Sequence, residues 1–452
     1  MAEFTYRYVG GSTLTPDRGL GLATNGGRTA HPHFFRGFVE QAPQTARALL
    51  AVAEVARTRY FDASVAHRMR DPIVTSNVEV LRFEAFSSCN GVHVRFDLDA
   101  VGFDAEHVDW GCTNVDVNES LRTALTRISG GDPLRLSIGT ERLTVETLDD
   151  QVVEHRVPLP ERWLRGLGSV QVATAEMRPV AELGAAGARA TLRDLPRQST
   201  GNRPLHIAFG PRGARLTSRP GTDRATIVGP QRLTALRRLL PHVRGLSVLA
   251  PPPRPRRRAG TGDDALALQA SAWVVHLDGA RCTLVLSPEL YRGFSGEGRA
   301  LTALVAAQAA VVDAVTDRLA GQARLDAGQV AALTGSDTQA AQDALFALAA
   351  RGRIGHDAAA GAAFHRDLPY PDGLLRPDRP RLDAAVELVE AGAVRLGQAA
   401  STVATEALHT VTHADAGDTC TCRWFTRHRG ERGPCKHVLA VLLARTRSEP
   451  DR

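Results

Sequence analysis

The chain is poor in lysine, cysteine and aromatic residues, and it has no long uninterrupted apolar run. Lys436 is the single lysine among 452 residues, so the lysine that a Walker A phosphate-binding loop requires is absent. The sequence also contains neither an H-E-x-x-H pair for catalytic zinc nor a G-x-G-x-x-G segment after a strand. These absences exclude a P-loop NTPase and leave no recognisable catalytic motif. We therefore expect the protein not to be an enzyme.

The most apolar long stretch, residues 300–321, carries Asp313, Asp317 and Arg318, which would be costly in hydrocarbon. It therefore predicts a helix packed against protein, and no contact with a membrane. The first residues lack the apolar region of a secretory signal. We expect a cytoplasmic protein, in which six cysteines do not indicate a disulfide framework.

Two stretches alternate apolar and polar residues with the period of a strand, and each contains one short helical segment. In residues 76–180, hairpin strands precede the helix ESLRTALTRI (119–128), and more strands follow it. In residues 181–298 the same order recurs around QRLTALRRLL (231–240), with a Pro/Arg-rich loop at 251–264. We interpret them as two copies of a β-hairpin–helix–strand unit. The order of elements is similar to that of one domain of a DNA sliding clamp.

Residues 299–372 change to helical spacing and predict three helices followed by a hairpin, which is the order of a winged helix. The third helix would present Asp337, Gln339 and Asp343, and acidic side chains repel phosphate. We expect this helix to pack against protein rather than to read DNA. With a Gly-rich and helical segment at 1–75, the sequence predicts an α+β, multidomain fold.

Three of the six cysteines and one histidine lie close together near the end of the chain, as Cys420, Cys422, Cys435 and His437. A C-x-C pair on extended backbone points both sulfurs to one side, since side chains repeat every two residues. A C-x-H pair at the start of a helix completes a tetrahedral set of three sulfurs and one nitrogen. A disulfide within C-x-C would close a very small, strained ring. The sequence thus predicts one structural Zn²⁺ with no position open for a reactive water.

The pattern C-x-C, twelve residues, C-x-H and an apolar helix resembles the SWIM zinc finger. The resemblance implies that these four residues are the ligands and that a SWIM-type finger spans residues 380–447. His409 and His413 on the preceding strand are less convincingly spaced alternatives. Segments such as FSSCNGVHVRFDL and VPLPERWLRG also resemble bacterial SWIM-finger proteins, of the kind encoded beside a MoxR-type AAA ATPase and a von Willebrand factor A protein.

Positive charge concentrates in the finger, since residues 420–452 hold eight basic and three acidic side chains, a net charge of +5. The run RWFTRHRGER interleaves aromatic residues with arginines, which suits base stacking and phosphate contact. Two functions remain open at this point: binding of nucleic acid, DNA rather than RNA, or docking on partner proteins such as the AAA ATPase and von Willebrand A protein. The predicted nucleic-acid contacts are Arg423, Trp424, Arg427, Arg429, Arg432 and Lys436.

Overall fold

The computed structural model describes residues 13–14, 19–21, 32–60, 72–157, 159–198, 201, 203–210, 213–219, 221, 224–252, 268–291, 293–294, 299–319, 324–350, 353–366, 380–414, 417–430 and 432–448. Most of the predicted Pro/Arg-rich loop at 251–264 lies outside these residues. Of the helices that the structure describes, none is long and apolar enough to cross a membrane.

The strands are β1 (Thr13–Leu14), β2 (Gly19–Gly21), β3 (Phe35–Val39), β4 (Ile73–Asn77), β5 (Val80–Phe86), β6 (Val92–Asp99), β7 (Phe103–Val108), β8 (Trp110–Asn114), β9 (Arg135–Ile138), β10 (Arg142–Glu146), β11 (Gln151–His155), β12 (Leu159–Pro160), β13 (Arg178–Gly184), β14 (Pro204–Gly210), β15 (Gly213–Thr217), β16 (Ala225–Val228), β17 (Gly245–Ala250), β18 (Ser271–Leu277), β19 (Ala280–Leu286), β20 (Ile354–Asp357), β21 (Ala362–His365), β22 (Val394–Arg395), β23 (Ala400–Ala404), β24 (Leu408–Thr412) and β25 (Thr419–Cys420). The α-helices are α1 (Ala42–Arg57), α2 (Glu119–Arg127), α3 (Glu161–Ala175), α4 (Ala185–Asp194), α5 (Arg299–Ala306), α6 (Ala309–Leu319), α7 (Ala327–Thr334), α8 (Thr338–Ala350), α9 (Pro380–Glu390), α10 (Arg423–His428) and α11 (Lys436–Ser448).

One eight-stranded antiparallel sheet, in the order β13-β17-β18-β19-β6-β5-β4-β8, crosses the predicted boundary between residues 180 and 181. Strands β6 and β19 pair along their whole length, from Leu98 opposite Ala280 to Val92 opposite Leu286. The sheet therefore joins strands from both predicted units, and the division into units at that boundary stays a prediction. Pairing satisfies the backbone groups of two strands that would otherwise lie at exposed sheet edges.

The described residues of the predicted N-terminal segment 1–75 pack on both large sheets, and the boundary of that segment stays a prediction. Strand β3 lies within the five-stranded sheet β11-β10-β9-β3-β7, and α1 packs on β5 and β6 of the large sheet. Gly37 of β3 allows the close approach to β7, because a Cβ there would lie 2.4 Å from the carbonyl oxygen of Asp104. The apolar face of α1 is buried against the sheet, so this helix is part of the core that the sheet forms.

Both predicted units place a helical segment before three consecutive antiparallel strands. Helix α2 precedes β9, β10 and β11, while the segment Pro230–His242 precedes β17, β18 and β19. The second segment is a 3₁₀ helix rather than an α-helix, and it contains Pro241, which cannot donate a backbone hydrogen bond. The duplication of one unit stays a prediction.

In the described residues of the segment predicted as a winged helix, four α-helices, α5 to α8, precede the hairpin β20–β21. The single first helix that we predicted is divided at residues 307–308 into α5 and α6. Helix α8 packs against α3, α5, α6 and α7 of the same chain. The winged-helix assignment stays a prediction, whereas the chain as a whole is the mixed helix-and-sheet, multidomain protein that we expected.

The face of the large sheet under this hairpin carries charged side chains that are almost completely buried. Arg82 and Glu84 of β5 and Arg95 and Asp97 of β6 alternate with apolar residues, a pattern typical of a solvent-exposed sheet face. All four are at most 3% exposed. Glu84 is paired with Arg366, which follows β21, so the hairpin segment covers this face through ion pairs.

Asp97 is the centre of this buried network. Its carboxylate accepts hydrogen bonds from Nε of Arg95 at 3.0 Å and from Nε of Arg281 at 3.0 Å. Asp357 of β20 also pairs with both arginines, at 3.0 Å from Nη2 of Arg95. The guanidinium of Arg82 stacks 4.1 Å from the ring centroid of Phe364, which belongs to β21. Charge pairing and stacking therefore hold the hairpin on the sheet.

Glu154 of β11 lowers the stability of the folded protein to an extent that depends on pH. Its side chain is 2% exposed, and burial together with the nearby Asp116 raises its pKa from 4.5 to about 7. When the pKa of a carboxyl is higher in the folded than in the unfolded state, the carboxyl's contribution to stability is lost as the pH rises from the unfolded-state pKa to the folded-state pKa. Glu154→Gln keeps an oxygen for the backbone N–H of Asn118. We expect it to stabilise the protein by on the order of 1–3 kcal/mol at pH 8, with little change at pH 4.

Urea unfolding at the two pH values checks this expectation. The control is Glu141→Gln, since Glu141 has a 60% exposed side chain paired with Arg156. That variant should show no such pH-dependent gain. An equal change in stability at both pH values for Glu154→Gln would contradict the assignment.

Candidate metal centre

The four predicted zinc ligands lie on three short elements at the end of the chain. Cys420 ends β25, which pairs with β24 and so closes the sheet β22-β23-β24-β25. Cys422 is the N-cap of α10, and its sulfur accepts a hydrogen bond from the backbone N–H of Phe425 at 3.4 Å. Cys435 and His437 flank the start of α11. The strand end and the two helix starts therefore direct all four side chains inward.

The structure brings these four side chains together. One possible ligand atom from each lies within 4.8 Å of all the others, and every one of the four residues is at most 7% exposed. Nδ1 of His437 lies 3.7 Å from Sγ of Cys420 and 4.0 Å from Sγ of Cys435. Ligands about 2.0–2.3 Å from a tetrahedral zinc lie roughly 3.5–4 Å from one another. The spacing of the cluster thus fits a single zinc ion.

The hydrogen bonds around the sulfurs also fit a metal-bound thiolate set. The backbone N–H of Cys422 donates to Sγ of Cys420 at 3.4 Å, and all three thiols are free of disulfides. The Cys435 thiol donates to Cys420, which lowers the pKa of Cys420. The same contact and burial raise the pKa of Cys435 to about 12. Zinc must displace these protons, so the Cys₃His cluster fits one structural Zn²⁺ whose binding is coupled to thiol ionisation.

Neither alternative histidine takes a ligand position. The ring of His409 packs 4.1 Å from that of His437, and His409 is not part of the cluster. His413 hydrogen bonds through Nε2 to Ser401 at 2.9 Å and through Nδ1 to Asp418 at 3.0 Å. This connectivity is that of a catalytic triad. Ser401 is only 1% exposed, and His413 connects this serine to Asp418, which lies just before β25.

The remaining cysteines lie apart from the cluster. Cys112 is in β8 and Cys282 in β19, both buried, and burial raises the pKa of Cys282 to about 12. Cys89 is partly exposed in the turn between β5 and β6. Their positions agree with the absence of ligand spacing in the sequence.

The stretch between the two ligand pairs is partly helical, which the sequence pattern did not indicate. Arg423–His428 form α10, which ends at Arg429 with a positive φ of 48°. Arg381 of α9 reaches this stretch, and its Nη1 donates to the carbonyl oxygens of Arg432 at 2.9 Å and Pro434 at 2.8 Å. The contact of Arg381 with this stretch could not be predicted from the sequence, because no local pattern relates Arg381 to residues about 50 positions further along the chain.

The predicted nucleic-acid contacts surround the zinc cluster on its outer side. Trp424 is 37% exposed, and the five basic side chains between the two ligand pairs and at the start of α11 are all exposed, namely Arg423, Arg427, Arg429, Arg432 and Lys436. Among the described residues, Arg423, Arg427 and Lys436 form no ion pair. The stretch between the two buried ligand pairs therefore carries exposed positive charge.

Residues 409–445 match the family model of the SWIM zinc finger, which confirms the predicted C-terminal finger. No curated protein matches the chain. Among solved structures, the chain is similar to the Proliferating Cellular Nuclear Antigen of Entamoeba histolytica, with 8% identity, a TM-score of 0.36, and coverage of 56% of this chain and 98% of that one. It is also similar to a PCNA2–PCNA3 complex from Sulfolobus tokodaii, with 8% identity, a TM-score of 0.39 and the same coverage of both chains.

Proposed function

We propose that the SWIM zinc finger of this chain binds nucleic acid, DNA in preference to RNA. The protein would be a non-enzymatic, cytoplasmic part of a multi-protein bacterial system. The observation that carries this proposal is the exposure of five cationic side chains and one tryptophan within residues 423–436. Arginine and lysine side chains neutralise phosphates and release counterions, which supplies most of the affinity for a nucleic-acid backbone.

The metal supports this arrangement by fixing the chain on both sides of α10. Ligands Cys420 and Cys422 precede the helix, while Cys435 and His437 follow the basic stretch. Three thiolates and one neutral imidazole leave a zinc centre with a net charge of −1, buried beneath the exposed cations. The basic side chains can therefore face phosphates without contact with the thiolates, and their backbone is ordered before binding.

Two observations support a function without catalysis. A zinc ion held by four protein ligands has no position open for water, which a hydrolytic zinc site requires. The serine of the Ser401–His413–Asp418 arrangement is only 1% exposed, which supports a structural rather than a catalytic role.

A second candidate function is that of a protein adaptor for an AAA ATPase and von Willebrand A system. The finger exposes two large apolar side chains beside its small sheet, Leu396 just after β22 at 43% and Leu408 at the start of β24 at 69%. Exposed leucines near a sheet edge suit a protein partner better than a phosphate backbone. Leu408→Asp would separate the candidates, since it should weaken a protein complex and leave binding to nucleic acid unchanged.

Removing two exposed cations should weaken binding to duplex DNA and reduce its salt dependence. For Arg423→Gln with Arg427→Gln we expect the slope of log affinity against log salt to become shallower by about 1.8, since each phosphate contact contributes about 0.9. Fluorescence anisotropy with a labelled duplex between about 50 and 200 mM salt measures the slope.

The matched control for this measurement is Arg447→Gln. Arg447 is also exposed but lies in the last turn of α11, away from the stretch between the ligand pairs. That variant should leave the slope nearly unchanged. Absence of binding by the parent protein even near 50 mM salt would favour the adaptor instead.

A further inference from the structure

Trp424 differs from the other tryptophans of the chain in its exposure. Trp110, Trp163 and Trp273 are 6%, 0% and 1% exposed and lie in the body of the protein, whereas Trp424 is 37% exposed on the finger. It occupies the second position of α10, immediately after the zinc ligand Cys422 and the exposed Arg423. Exposing part of an indole to water is unfavourable, and a ligand with a flat apolar face would remove that cost.

The orientation of the indole is fixed by two neighbours. The guanidinium of Arg381 lies 4.9 Å from the ring centroid, in a cation–π contact. The hydrogen bonds of Arg381 to the carbonyls of Arg432 and Pro434 hold that guanidinium in place. The ring of His428 lies 4.4 Å away at an interplanar angle of 59°. The indole is therefore a rigid platform before any ligand binds.

The side chain best placed to hold a phosphate lies on the same face of the helix. Arg427 is three residues beyond Trp424, and residues three apart are neighbours on a helix surface. Arg427 is exposed and makes no ion pair with the described part of the chain. A stacking ring and a phosphate-binding guanidinium thus project together, which is the combination that binds a nucleotide by its base and its backbone at once.

We propose that Trp424 stacks on an unpaired base, so that the finger binds single-stranded nucleic acid more tightly than duplex. This inference rests on the proposed function. In a duplex both faces of each base are covered by neighbouring bases, so a side-chain ring can stack only at an end or on an unpaired nucleotide. The cationic side chains contact phosphates of duplex and single strand alike, whereas the indole stacks only on bases of the single strand. Arg381 is a positioning residue that holds the indole.

The test compares three labelled probes of equal length with the full-length, zinc-loaded protein: oligo(dT), its duplex with oligo(dA), and oligo(U). We expect tighter binding of oligo(dT) than of the duplex, accompanied by quenching of tryptophan fluorescence, because Trp424 alone among the four tryptophans is substantially exposed. Trp424→Ala should lower the affinity for oligo(dT) by about 5- to 150-fold, the usual range for loss of one stacked base. Affinity for the duplex should change by less than about 2-fold. Trp424→Phe should retain most of the affinity for oligo(dT).

The matched control is Arg427→Gln, which should weaken binding to the single strand and the duplex to similar extents. Bound zinc, measured in every variant, shows that the finger is folded. If Trp424→Ala lost equal affinity for oligo(dT) and for the duplex, this inference would be overturned. If the parent protein showed no preference for the single strand, the inference would be overturned as well. Neither result would contradict the proposed function. Failure of the parent protein to bind any probe would overturn the proposed function itself. Equal affinity for oligo(U) and oligo(dT) would support stacking and contradict the preference for DNA.

Discussion

Replacing Cys435 by serine should abolish zinc binding and unfold the chain beyond about residue 400, while the two large sheets stay folded. Structural zinc contributes about 10–16 kcal/mol of apparent binding energy in isolated zinc-finger peptides at neutral pH, and that energy is folding energy. The core of the finger is small, and the sulfurs of Cys420, Cys422 and Cys435 are part of it, packed with Phe425 and Val441. Without metal, this core has too little apolar surface to offset chain entropy.

Metal analysis and hydrogen exchange measure the two parts of this prediction. We expect one zinc per chain in the parent protein, none in Cys435→Ser or Cys420→Ser, and a full complement in the control Cys89→Ser. Cys89 lies in a turn of the body and outside the cluster. A chelator should abolish exchange protection in β23, β24 and α11 and leave β5, β6 and β19 protected. A full zinc content in either ligand variant would refute the assignment.

The second large effect is expected at Asp97→Asn, in the charged interface between the large sheet and the hairpin β20–β21. Asp97 is 0% exposed and accepts hydrogen bonds from Arg95 and Arg281, and it pairs with Arg82 at 3.4 Å. Breaking a buried pair by neutralising one member costs about 3–5 kcal/mol, because it leaves the other charges uncompensated in the interior. Three arginines would lose their shared partner at once.

Urea unfolding gives the loss of stability, and hydrogen exchange in residues 354–366 shows where the structure loosens. Asp278→Asn is the matched control, because Asp278 also pairs with an arginine, Arg244, but both side chains are largely exposed. Exposed pairs contribute little to stability, so this control should change it far less. Similar losses of stability in Asp97→Asn and Asp278→Asn would show that burial of the network does not add to stability.

The metal site was predictable from sequence because its geometry is local. A strand places alternate side chains on one side, and a helix start places Cys435 and His437 together, so spacing alone identified the four ligands. Arg381 was not predictable, since α9 meets the finger only through tertiary packing. The helix α10 was missed because Arg423–His428 is shorter than two turns and lies among glycines.

In the large sheet, by contrast, the local pattern indicates the strands but not their partners. The alternation in β5 and β6 does describe strands, but its polar half faces the buried hairpin segment rather than water. Likewise, the pairing of β6 with β19 joins residues about 190 positions apart. No periodicity within either strand specifies which partner it meets, so the continuous eight-stranded sheet followed only from the three-dimensional structure.

Helix α11 belongs to two cores at once. Val438 and Val441 pack with the zinc cysteines, while Leu439 and Ala440 pack with Leu301 of α5 and with α9. The finger is thus joined to α5 and α9 through the side-chain packing of one continuous helix, α11. Under the proposed function, a force on a nucleic acid bound to the finger would be transmitted through α11 to α5.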